Sequence, residues 1–158
     1  EEVKIKEAVA SFAGVKRRFE YKVKTPNKVL IDDYAHHPEE LNALISGVRS
    51  LYPNEKMVLI FQPHLYSRTK DQCDGFVETL DKADEVILLP IYPARELPME
   101  GVSSEMLLAK MKLSHKKIMS KDELFDWAAN SQDKLIVMAG AGDIDTCILK
   151  VQEILTNK

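Results

Sequence analysis

Two short polar clusters stand out in this sequence for the chemistry their side chains can do. The first, Asp32-Asp33-Tyr34-Ala35-His36-His37-Pro38, puts two carboxylates, a phenol and two imidazoles within six residues. Carboxylates accept from ribose hydroxyls, an aromatic ring stacks on a base, and imidazoles donate to phosphate or carboxylate oxygens. The second runs Phe61-Gln62-Pro63-His64-Leu65-Tyr66-Ser67-Arg68-Thr69 and is cationic in character. Arg68 presents a planar fork matched to a carboxylate or phosphate, and His64 can donate to an oxyanion or take a proton near neutral pH. Each cluster also has a plainer reading. The first can be a helix cap and a turn, and Ser67 and Thr69 can cap a helix that leaves Arg68 in solvent. Zinc is disfavoured at His36 and His37, because adjacent imidazoles rarely reach one ion, and no metal ligand is assigned.

Two further segments are weaker. Gly140-Ala141-Gly142-Asp143 echoes a phosphate loop but lacks the third glycine of a dinucleotide fingerprint and the lysine of a Walker loop, so it reads as a tight strand-to-helix turn. In Ile91-Tyr92-Pro93-Ala94-Arg95-Glu96, Arg95 and Glu96 can reach the same rim as the two clusters or pair with each other at the surface.

The elements that must position these clusters alternate short β-branched runs with segments of helical period, the pattern of a mostly parallel sheet covered on both faces. Strands are expected at Lys28 to Asp32, Met57 to Phe61, Glu85 to Leu89, Ile118-Met119 and Leu135 to Met138. An alternating edge or antiparallel strand is expected from Arg18 to Lys24, behind a lead-in helix, which brings the sheet to about six strands. Helices are expected from Pro38, with Leu41, Leu44, Ile45 and Val48 inward, and from about Asp71 to Leu80. Others follow from Ser103 through about Met111, Lys121 to Asn130 and Ile144 to Leu155. Pro90, Pro93 and Pro98 impose an extended loop after the third buried strand. Both clusters thus follow strands directly, at the carboxyl edge of the sheet where open α/β folds bind ligands. That convergence favours function over capping.

Bulk properties narrow the classes. The 158 residues suit one domain; 45% are hydrophobic and 30% charged, as in globular domains. A net charge of −3 argues against a nucleic-acid partner bound through a broad basic surface. Cys73 and Cys147 lie far apart with no metal-ligand spacing and read as reduced thiols. No apolar run approaches the roughly eighteen residues of a membrane span, and Glu1-Glu2-Val3-Lys4 has no signal character, so a cytoplasmic protein is expected.

The order of motifs resembles a specific family. Gly14-Val15-Lys16-Arg17-Arg18-Phe19, the cluster at 32–38, the run at 61–69, Tyr92-x-Ala94-x-Glu96 with Gly101-Val102-Ser103-Ser104, and Gly140-Ala141-Gly142-Asp143-Ile144 occur as in the Mur ligases. The run at 61–69 is most similar to the members that join L-alanine to UDP-N-acetylmuramate. The resemblance spans nearly the whole chain and implies a Rossmann-like α/β fold. It also implies that 1–158 is the C-terminal domain of a three-domain enzyme, whose UDP-sugar and central ATPase domains lie outside this chain.

On that resemblance the parent enzyme uses ATP and Mg2+. ATP phosphorylates the muramate carboxylate and the alanine amine displaces phosphate; the metal ligands lie mainly in the central domain. Asp33 is expected at the ATP ribose, with Asp32 and His37 supporting it. Tyr34 and His36 are expected to face alanine and the reaction centre, and His64 and Arg68 the carboxylate and phosphoryl oxygens; His36, His64 and Arg68 are the catalytic candidates. Contact with the ATPase domain is implied, and the domain alone is expected to be inactive. Leu65 stands where many relatives have arginine and Arg95 where many have glycine, so Arg95 is a candidate to replace the missing cation. Two alternatives remain: a related ligase that recycles muropeptides, and a nucleotide-binding or regulatory module without catalysis.

Overall fold

The computed structural model describes residues 2–11 and 14–157. Its six strands are β1 (Glu20–Lys24), β2 (Val29–Asp33), β3 (Met57–Phe61), β4 (Glu85–Leu88), β5 (Lys116–Ile118) and β6 (Leu135–Ala139). They form one sheet in the order β1-β2-β6-β3-β4-β5. Only the β1–β2 pair is antiparallel. The helices are α1 (Glu2–Ala10), α2 (Pro38–Leu51), α3 (Tyr66–Asp71), α4 (Cys73–Leu80), α5 (Ser104–Lys110), α6 (Lys121–Asn130) and α7 (Asp145–Thr156).

The central strands are apolar at almost every position because both faces are covered. Val29, Ile31, Leu59, Phe61 and Val137 pack with Leu41 and Ile45 of α2, Phe76 and Leu80 of α4, and Leu107 of α5. The alternate residues Leu30, Val58, Ile60, Ile136 and Met138 pack on the other face with Leu124 of α6 and Cys147, Ile148 and Val151 of α7. The period-two alternation of a strand thereby feeds two separate cores. The mostly parallel α/β sheet with helices on both faces is as the sequence pattern predicts.

Strand register places the ends of the strands on one line. Asp33 and Phe61 both pair with Ala139, and Leu88 pairs with Phe61. β6 lies between β2 and β3, yet its helix α7 covers the opposite face from α2 and α4. The chain beyond β2 and β3 therefore turns one way and that beyond β6 the other, which opens a crevice at the carboxyl edge.

Most boundaries shift by a residue or so, β5 lies at Lys116–Ile118 instead of Ile118-Met119, and two differences bear on the site. β1 starts at Glu20 instead of Arg18, because residues 15–18 fold into a tight bridge with Arg17 (φ 56°) and Phe19 (φ 49°) in the left-handed region. The helix expected from about Asp71 to Leu80 is α4, and a separate short helix, α3, precedes it with a break at Gln72, so Arg68 lies on a helix and not in a loop.

Candidate active site at the carboxyl edge of the sheet

At the end of β2 most polar atoms hold the structure itself. Asp32 is 1% exposed and meets Arg17 Nε at 3.3 Å. The same guanidinium donates from Nη2 to the Gly140 carbonyl at 2.7 Å and lies 5.2 Å from the centre of the Tyr34 ring. Burial pushes the Asp32 carboxyl up, and the Arg17 charge opposes that shift. Asp33 accepts from the Phe19 N–H at 2.7 Å with one oxygen and from the Ala35 N–H at 2.8 Å with the other. The second of these closes a turn of the kind aspartate favours.

The following loop ends on α2, where Pro38 occupies the first turn and needs no donor. Glu40 reaches back to the His36 and His37 N–H groups at 2.8 and 3.2 Å. His36 Nδ1 faces the Tyr34 carbonyl at 2.9 Å, and His37 Nδ1 faces Gln72 Oε1 at 3.3 Å. Tyr34 is left 41% exposed.

The end of β3 is arranged differently. Arg68 Nη1 lies 3.1 Å from His64 Nδ1. A guanidinium only donates, so Nδ1 is the acceptor and the neutral ring carries its proton on Nε2. Burial, the Arg68 charge and His36 hold the His64 imidazole below its ordinary value, with Glu96 opposing. His64 at neutral pH is accordingly an uncharged ring with one outward donor. Its ring lies 6.1 Å from that of His36 and stacks on Tyr92 at 5.6 Å with a 20° interplanar angle. The segments after β2 and β3 thus bring Tyr34, His36, His64 and Arg68 to one rim.

The end of β6 forms the floor. The buried Gln62 amide donates to Asp143 Oδ1 at 2.7 Å and accepts from the Ile144 N–H at 2.8 Å. Lys121 pairs with the other oxygen of Asp143 at 2.6 Å. A Cβ at Gly142 would sit 2.5 Å from Tyr92 Cβ and 2.6 Å from Gln62 Oε1, so only glycine fits. This glycine turn is packed against side chains, as its reading as a tight turn predicts. Gln62, Tyr92, Lys121 and Asp143 line a cavity of about 210 Å³, smaller than the roughly 300 Å³ at which ordinary ligand pockets begin.

Arg95 is exposed and stands outside this hydrogen-bonded set. Sequence reasoning assigned no role to Arg17, Gln62 or Tyr92; Glu96, expected either at the rim or paired with Arg95, bonds Ser67 instead. Gln62 carried a readable signal, an amide directly after a fully apolar strand. Arg17, whose partners are 15 and 123 residues away in sequence, carried none. Among the described residues, no three His, Cys, Asp or Glu side chains are disposed to hold a metal. None of the helices is long and apolar enough to cross a membrane.

The family model for the Mur ligase, glutamate ligase domain matches residues 17–142. A UDP-N-acetylmuramate-L-alanine ligase of Flavobacterium psychrophilum is 50% identical over 154 residues, which cover 98% of this chain and 34% of that protein. The crystal structure of a UDP-N-acetylmuramate-alanine ligase from Thermotoga maritima superposes with a TM-score of 0.75 at 29% identity, over 96% of this chain and 32% of that one. A murein peptide ligase from Psychrobacter arcticus shares the fold, with a TM-score of 0.72 at 20% identity over 96% of this chain and 32% of that one. The chain spans about a third of the length of the relatives it matches.

Proposed function

Because the chain belongs to the Mur ligase, glutamate ligase domain family, we propose that it is the C-terminal domain of an ATP-dependent ligase that joins L-alanine to UDP-N-acetylmuramate in the cytoplasm. ATP, when bound, supplies the phosphoryl group that activates the muramate carboxylate for attack by the alanine amine. The observation that carries the reading is the convergence of Tyr34, His36, His64 and Arg68 on one open rim, from the segments that follow two different strands.

Amide formation from an activated carboxylate needs the amine oriented, the developing oxyanion stabilised and water kept out. Arg68, whose Nη1 is turned to His64, presents its remaining N–H groups to a carboxylate or phosphoryl oxygen. His64 offers Nε2–H to the same oxygens, and its depressed pKa keeps it neutral, so it does not repel the ammonium of the incoming amino acid. Tyr34 and His36 complete the face towards alanine. Each Asp33 oxygen accepts one backbone N–H and retains a lone pair for a ribose hydroxyl, which suits it to the nucleotide. Asp32, buried on Arg17, and His37, turned to Gln72, support that loop from behind.

No three His, Cys, Asp or Glu side chains among the described residues are disposed to hold Mg2+ by themselves. Its ligands are assigned mainly to the central ATPase domain. Arg95, exposed beside the rim, is the candidate to supply the cation that Leu65 lacks.

The test is ATP-dependent phosphate release by the longer protein that carries this chain, given UDP-N-acetylmuramate and single amino acids. L-Alanine-dependent turnover, lost in His64→Ala and absent from the isolated chain, supports the reading. Turnover by the chain alone, indifference to L-alanine, or preference for a peptide donor overturns it.

A further inference from the structure

The β4–α5 loop contributes more to the rim than its sequence suggests. Helix α3 begins at Tyr66, and its N-cap residue Leu65, with φ 72°, supplies no side-chain cap. The missing acceptor comes from 29 residues away: the Glu96 carboxylate accepts the Ser67 N–H at 3.0 Å and, with its other oxygen, the Ser67 hydroxyl. The carboxyl is held below the usual range, first by the Ser67 hydroxyl and then by the Ser67 N–H. A turn closed by the Glu96 N–H on the Pro93 carbonyl, with Ala94 at φ 51°, presents it. The same loop grips the stretch before α3. Leu65 N–H donates to the Tyr92 carbonyl, Tyr92 N–H to the Pro63 carbonyl, both at 2.9 Å, and the Tyr92 ring stacks on His64.

We propose that Glu96 is the positioning residue of the His64–Arg68 pair, holding the first turn of α3 where the Arg68 guanidinium meets His64 Nδ1 and confines the ring proton to Nε2. The inference deepens the ligase reading and, for its catalytic consequence, rests on it. Arg68 sits one residue after Ser67, so the height of that turn sets the reach of the guanidinium. The charged and titratable groups facing His64 are Arg68, His36, Glu96 and the Tyr92 phenol. Of these, only Arg68 bonds Nδ1. Without it a solvated imidazole interconverts freely between its two neutral forms. A merely structural cap would leave the ring proton where it is.

The experiment is side-chain nitrogen NMR of the histidines in this chain above pH 8, without ATP or substrates. His64 is expected as a single Nε2–H form. Glu96→Ala is expected to convert it to a mixture, as Arg68→Ala does, and the double variant adds nothing further. Glu96→Gln, which keeps an oxygen acceptor but no charge, is expected to retain most of the preference. A single Nε2–H form in a folded Glu96→Ala overturns the proposal, as does a Glu96→Gln spectrum identical to that of Glu96→Ala, which would mean that charge alone acts. Should Glu96→Ala fail to fold, Ser67→Ala decides: partial loss of the preference supports the role and none overturns it. In the longer protein, Glu96→Ala is expected to lower kcat about tenfold or more with little change in the alanine KM. The ring proton is read without turnover, so the ligase reading and this one fail separately.

Discussion

The ends of β2 and β3 stand side by side across β6, and both carry polar clusters, but their atoms are committed differently. Beyond β2, Asp32 is buried on Arg17, Asp33 holds two backbone N–H groups, and Glu40 ties down the next two residues. Beyond β3, Arg68 uses Nη1 alone to meet His64, at the ring Nδ1 and, at 3.5 Å, at the carbonyl oxygen. Their other donors make no bond among the described residues. The difference teaches that a motif dense in charge is not thereby a motif of free charge. The acidic loop is mainly a scaffold that offers spare lone pairs, whereas the cationic one is poised to act on something outside the chain.

The sharpest way to break this contrast is to remove the scaffold's cation. Arg17→Ala strands a buried carboxylate and is expected to destabilise the chain by about 3 kcal/mol near pH 7, read by urea unfolding. The raised pKa of Asp32 means that its ionisation opposes folding: its contribution is full below the ordinary 3.8 and is lost as pH rises through the folded value. Deleting Arg17 raises that value further, so the penalty should shrink near pH 4. An equal loss at both pH values would show that the ion pair is not what holds this end.

The cationic end should respond in the opposite sense. His64→Ala and Arg68→Ala are expected to cut ligase turnover of the longer protein about a hundredfold. The unfolding free energy of this chain should change by less than about 0.5 kcal/mol. Large destabilisation with normal turnover would reverse the assignment of the two ends.

Gly142→Ala probes the floor between them. Its Cβ has no room beside Tyr92 and Gln62, and overpacking is expected to cost about 2 kcal/mol in thermal unfolding. A neutral result would mean that the floor can shift. The smallest effect is a titration. The folded pKa of His64 lies below the ordinary 6.5, so its contribution is present above about pH 6.5 and lost as pH falls through the folded value. His64→Gln should flatten the acid side of the stability profile, and an unchanged slope would place the titrating group elsewhere.

Much of this arrangement is legible in the chain. The apolar runs Met57 to Phe61 and Leu135 to Met138 announce buried parallel strands, and Pro38 with two glutamates announces α2. Both clusters lie at the carboxyl edge where strand-then-helix order puts them. The start of α3 was not legible, because Leu65 has no capping side chain and the acceptor arrives from Glu96, across a proline-rich loop.

By itself the sequence determined the fold class, the two faces of the core and the identity of the rim-forming loops, since periodicity and punctuation are local properties that a strand or helix needs anyway. Which charges are free was decided only by the tertiary structure. Arg17 is consumed by Asp32 and Gly140, and the proton of His64 is placed by a guanidinium that Glu96 helps to set. Hydrogen bonds between residues far apart in the chain leave no periodic trace, and only folding brings the partners within about 3 Å.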